Sequence, residues 1–90
     1  MTKEEIVSQI ATTTGVDKKV IIPIIEEFMK TVQGSLVKKE NVYLRGFGSF
    51  IIKHKLAKTA RNISKNTTIV IPAHDAPAFK PAKEFMDRVK

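Results

Sequence analysis

Apolar positions along this chain follow a helical rhythm up to about residue 40 and an alternating rhythm after it. Thr2 and Glu5 form a T-x-x-E capping box, in which each side chain satisfies a free backbone N–H at a helix start. Behind them Ile6, Val7, Ile10 and Ala11 recur at helical spacing, and Gly15 predicts the stop. Asp17 is the next N-cap candidate. The stripe Ile21, Ile24, Ile25, Phe28, Val32, Leu36 predicts the main core helix, with Glu26, Glu27 and Lys30 outside and an end near Lys39. Pro23 lacks an N–H and crowds the carbonyl four residues back, which predicts a distorted first turn or a late helix start. Gly34 weakens the same helix by ~1 kcal/mol relative to alanine.

After Glu40 the chain reads as β structure. Val42-Tyr43-Leu44 is a short strand, and Gly46 and Gly48 flank Phe47 in a tight connection. From Ser49, Phe50, Ile52, His54 and Leu56 fall on one face; Ile51, Lys53, Lys55 and Ala57 fall on the other, which faces solvent or ligand. Ser64-Lys65-Asn66 is the expected reversal. Thr67 to Ile71 returns as a β-branched strand that Pro72 stops, Pro77 and Pro81 bracket Phe79 in an extended stretch, and Ala82 to Val89 form a final helix. A hairpin from Ser49 to Ile71 has limbs of roughly eleven residues, or ~36 Å, against a radius of gyration of ~12 Å for a chain of this length. The hairpin is therefore expected to project from the body and to order on a ligand, because isolated two-stranded ribbons are marginally stable.

Ninety residues predict one domain with a modest core. With no cysteine to supply disulfides or thiolate ligands, oligomerisation is the expected source of further burial. The charged N-terminus does not read as a secretory signal and no segment is apolar enough for a membrane span, so a soluble, cytoplasmic protein is expected.

Charge sharpens the picture. Residues 1–45 hold seven Lys/Arg against six Asp/Glu, and residues 46–90 hold nine against three, so most of the +7 net charge lies in the β-rich half. No acid falls between Glu40 and Asp75, while Arg45, Lys53, Lys55, Lys58, Arg61 and Lys65 all do. Such a block is the electrostatic footprint of a polyanion partner, above all nucleic acid. Lys53, Lys55, Lys58, Arg61 and Lys65 are the candidate phosphate ligands. Arg61 and Asn62 suit the minor groove, where arginine is drawn to negative potential and asparagine meets base-edge acceptors. Phe47, Phe50 and Phe79 read as core rather than as base-stacking platforms. His54 and His74 lack nearby carboxylates or cysteines, which argues against a metal site; His54 reads as a phosphate or backbone hydrogen-bonding group at the arm base.

Gly46-Phe47-Gly48-Ser49-Phe50, Ala60-Arg61-Asn62, Ile71-Pro72-Ala73 and Pro77-Ala78-Phe79-Lys80-Pro81 together resemble the bacterial HU/IHF histone-like DNA-binding family over essentially the whole chain, HU above all. The resemblance implies an α+β fold and an intertwined dimer, either a homodimer or a heterodimer with a related subunit. It implies one domain over residues 1–90: a helical base (1–40), a three-stranded antiparallel sheet (41–80) with a long protruding arm (about 55–72), and a short C-terminal helix (81–90). Two such arms would reach around double-stranded DNA in the minor groove and bend and compact it in the nucleoid. In the family a residue at the arm tip, usually proline, wedges between base pairs. Here that position is Ile63, and isoleucine can also unstack a base step. The family glycine at the arm turn is Asn66. By the same resemblance Lys3, Lys18 and Lys83 grip phosphates on the flanks of the body.

The leading expectation is thus an architectural DNA-binding protein of low sequence specificity that prefers bent or nicked DNA. The alternative is a protein that binds RNA or structured single strands. An enzyme is not expected: the sequence offers no cysteine, no histidine beside a nucleophile, no glycine-rich phosphate loop and no paired carboxylates in a plausible cleft. No cofactor, metal or small-molecule substrate is implied.

Overall fold

The structure, a computed structural model, describes residues 1–62 and 67–90. Three helices and five strands follow one another among them: α1 (Lys3–Thr14), α2 (Lys18–Val37), β1 (Val42–Leu44), β2 (Gly48–Lys55), β3 (Lys58–Asn62), β4 (Thr67–Ile71), β5 (His74–Pro81) and α3 (Lys83–Val89). The class is α+β, as expected. The chain divides into two compact units, Met1–Gly34 and Ser35–Lys90.

In the first unit, Thr2 caps α1 by accepting a hydrogen bond from the Glu5 N–H at 3.2 Å. Gly15 ends the helix in the left-handed conformation (φ 74°), its N–H donating to the Ala11 carbonyl. Asp17 opens α2 by accepting from the Lys19 N–H at 2.9 Å. Pro23 neither delays the helix nor confines itself to its first turn, for α2 already runs from Lys18 and Pro23 lies inside it. The cost is one missing hydrogen bond, to the Lys19 carbonyl four residues back. Val7 and Ile21 are almost fully buried, and Val32 is buried as well. Ile24 (60% exposed) and Phe28 (45%) belong to the same apolar stripe yet face solvent in the single chain.

In the second unit, α2 closes in a Schellman arrangement without glycine: Lys39 takes φ 65°, its N–H donates to Leu36, and the Glu40 N–H reaches back to Ser35. The Ser35 hydroxyl also donates to the Glu40 carbonyl. The turn from β1 to β2 is closed by the Phe47 N–H on the Leu44 carbonyl, and Gly46 supplies the positive φ (82°) that such a turn needs.

β1, β2 and β5 form an antiparallel sheet in that order, and β3 and β4 form a two-stranded antiparallel sheet. The inner ladder runs from Gly48↔Pro81 to Lys55↔His74, and the outer from Lys58↔Ile71 to Asn62↔Thr67. Both ladders share one register, so the strands form a single long hairpin, interrupted where Leu56-Ala57 lies opposite Pro72-Ala73. Pro72 ends β4, as expected; Pro72-Ala73 are unpaired, and pairing resumes in β5 from His74 to Pro81. The limb from Gly48 to Asn62 would span ~50 Å if straight, longer than the sequence suggested. Pro77 and Pro81 are tolerated in β5 because it lies at a sheet edge, and their spacing of four puts both missing donors on the same side of the strand. The reversal expected at Ser64-Lys65-Asn66 lies outside the described residues.

Phe47, Phe50, Phe79 and Phe85 pack around the root of this hairpin with ring centroids 5.0–6.2 Å apart, as core residues do. The Ala82 N–H, just before α3, donates to the Phe47 carbonyl at 2.9 Å and ties that helix to the turn. None of the described helices is long and apolar enough to cross a membrane.

Candidate nucleic-acid interface

Strand alternation divides the inner ladder into two faces of different chemistry. Ser49, Ile51, Lys53 and Lys55 share one face with their partners Lys80, Ala78, Ala76 and His74. Lys53, Lys55, His74 and Lys80 are exposed there, a line of cations and one histidine without any carboxylate. Ile51 and Ala78 between them are half-buried, so this face is not wholly open to solvent, contrary to the reading of Ile51 as a solvent- or ligand-facing position.

On the opposite face His54 pairs with Asp75. His54 Nδ1–H donates to Asp75 Oδ1 at 2.8 Å, and Lys39 Nζ donates to Asp75 Oδ2 at 2.9 Å. The hydrogen bond from His54, followed by that from Lys39 and its charge, holds the Asp75 carboxyl below the ordinary aspartate range. The expectation that His54 has no carboxylate nearby and serves phosphate or backbone is thereby corrected. A residue twenty-one positions away becomes its neighbour through strand register. It is His74 that meets the backbone, with Nδ1 3.0 Å from the Pro72 carbonyl oxygen.

The outer ladder carries the remaining arm residues. Lys58 is exposed at its first rung, and the backbones of Arg61 and Asn62 pair with Thr68 and Thr67 at its last two. Ile63 and Lys65 lie outside the described residues. Of the flanking lysines, Lys3 donates to Glu26 Oε1 at 3.1 Å, an exposed pair worth less than ~1 kcal/mol. Lys18 opens α2 and Lys83 opens α3, both exposed.

Two cations join the set that sequence reasoning drew up. Lys80 lies on the Lys53/Lys55 face, and it shares with Arg45 and Lys83 a concavity also lined by Tyr43, Ser49 and Ile51. Lys80 could have been found from its place in the Pro77–Pro81 segment, but only the register with Ser49 shows which side it addresses. Among the described residues there is no grouping of His, Cys, Asp and Glu able to hold a metal ion.

The family model described as bacterial DNA-binding protein matches residues 1–90. The chain belongs to that family. It is 40% identical to the SPbeta prophage-derived DNA-binding protein HU 2 of Bacillus subtilis, over all of this chain and 98% of that protein. It is 36% identical to DNA-binding protein HU of Thermus thermophilus, over all of this chain and 93% of that one. Among solved structures, an Anabaena HU–DNA cocrystal structure superimposes with a TM-score of 0.91 and 32% identity, covering 99% of this chain and 97% of the other. Membership makes the cationic hairpin face the natural place to look for the ligand of this bacterial DNA-binding family protein.

Proposed function

We propose that this chain is an architectural, histone-like protein that clasps double-stranded DNA in the minor groove with low sequence specificity, and bends and compacts it. The observation that carries this reading is the single-register hairpin, which strings exposed Lys53, Lys55 and Lys58 along a limb leading to Arg61 and Asn62. A ribbon of this width and length is of the size to follow a groove, and its lysines neutralise phosphates without reading bases. The relatives named as DNA-binding proteins and the HU–DNA cocrystal neighbour support DNA as the ligand. Lys65, Lys3, Lys18 and Lys83 complete the phosphate set, and Ile63 serves as the wedge that opens a base step. No catalytic step belongs to this role, and its setting is the cytoplasmic nucleoid.

The whole chain acts as one domain in a dimer. Exposure of Ile24 and Phe28 on an apolar helix supports this, since a second subunit removes that surface from water. A homodimer is the simplest form, and a heterodimer with a related subunit uses the same surface.

Titration into linear, nicked and four-way-junction DNA across a salt series, with duplex RNA alongside, tests the proposal. Preference for the distorted DNAs with a steep salt slope is expected. Equal or tighter binding to duplex RNA, or no binding to DNA at physiological salt, would overturn it. Ile63→Ala should keep most of the affinity and lower the bend; an unchanged bend removes the wedge role.

A further inference from the structure

Asp75 is the sole acid between Glu40 and Glu84, and it sits at the root of the most basic segment of the chain. Left free there, a carboxylate repels phosphate. Instead both its oxygens are occupied, by His54 from β2 and Lys39 from the turn that ends α2. The three residues join three separate pieces of backbone one rung before the inner ladder ends at Lys55↔His74. Beyond that rung the strands lose pairing at Leu56-Ala57 and Pro72-Ala73, so the direction in which the outer arm leaves the sheet is set at this point.

We infer that Asp75 is a positioning residue for DNA bending: through His54 and Lys39 it braces the root of the arm against the end of α2, and the brace tightens when His54 is protonated. A neutral imidazole donates one hydrogen bond to the charged carboxylate. An imidazolium adds an opposite full charge on the donor side of that bond. Besides these three, strand alternation in the shared register puts Lys58 on the same face, beyond the gap. The neighbouring rungs there are Ile52↔Pro77 and, across the gap, Leu56 and Ala73, while Lys53, Lys55 and His74 alternate onto the other face. Glu40 follows Lys39 in the turn and is the nearest further acid along the chain. Because His54, Lys39 and Asp75 are all partly exposed, the effect is small and graded rather than a switch.

The proposal rests on the DNA-bending reading, and its test keeps the two apart. The bend of a dye-labelled nicked duplex is followed by energy transfer from pH 8.0 to pH 5.5 at constant ionic strength, with DNA alone as control. For the unmodified protein the ratio of bent to unbent complexes rises by about two- to five-fold on acidification, the range of one partly exposed ion pair. Asp75→Asn and His54→Gln flatten the response. Asp75→Asn binds DNA no more weakly, since it removes a negative charge. A response retained in Asp75→Asn or in His54→Gln would overturn the inference. In the DNA-free protein, nitrogen-15 relaxation of residues 52–56 and 73–77 should show the root ordering as pH falls. Failure to bind DNA in every variant would strike only the functional reading and leave this measurement to decide the brace.

Discussion

Gly48 lies so close to Phe79 that an added Cβ would come within 2.6 Å of the ring Cζ, and equally close to the Lys80 carbonyl oxygen. Phe79 is the hub of the aromatic cluster, and Gly48 pairs with Pro81 at the first rung of the inner ladder. One position thus couples the packing of the core to the line on which the hairpin leaves it.

Gly48→Ala should therefore destabilise the fold by about 1–3 kcal/mol, as overpacking does when a backbone atom is among the obstacles. Thermal unfolding at fixed protein concentration measures this. Gly46→Ala meets no neighbour within 4 Å and is disfavoured only by its positive φ, so its loss should be smaller.

Pro23 occupies an exposed helical position and leaves the Lys19 carbonyl without its usual donor. Pro23→Ala should stabilise the protein by about 1–3 kcal/mol, by restoring the bond and removing the ring clash. A midpoint unchanged or lowered in denaturant titration would mean that Pro23 serves a contact absent from the single chain.

Lys53 and Lys80 share one face of the inner ladder. Lys53→Ala and Lys80→Ala should weaken binding about equally for all DNA sequences and lower the magnitude of the log–log salt slope by about one each. Lys30→Ala, on the outer face of α2, provides the comparison that should change neither.

Asp75 has a carboxyl held below its ordinary value of 3.8 by His54 and Lys39. A depressed folded-state pKa means that the unfolded chain binds the proton more readily. The contribution to stability is thus fully present above 3.8 and is lost as pH falls through the lower folded value. Asp75→Asn should remove this part of the acid limb in a series of melting curves, so that the two proteins converge at the acid end. Curves that stay parallel below pH 3.8 would contradict it.

Much of this architecture was legible in residue order because its causes are local. The Thr2 cap, the Gly15 stop, the Asp17 start and the Gly46 turn each depend on a few adjacent residues, and each lies where the pattern put it. The charge asymmetry and the motifs from Gly46 to Asn62 likewise need no coordinates to be seen. Pro23 misled because local propensity treats a proline as a boundary, whereas an apolar stripe of this length carries a helix through one missing hydrogen bond. Pro72 stops β4 where the sequence pattern puts the stop, and only the shared register shows that pairing resumes beyond it in β5.

What the sequence by itself determined about this protein is its element types, its basic β-rich half and its family, all encoded in short-range pattern and composition. Only the tertiary structure decided that His54 meets Asp75, that Lys80 joins Lys53 and Lys55, and that Gly48 receives Phe79. Each of those relationships joins residues far apart in the chain, and strand register, which a shift of one residue would invert, chooses the face on which they meet.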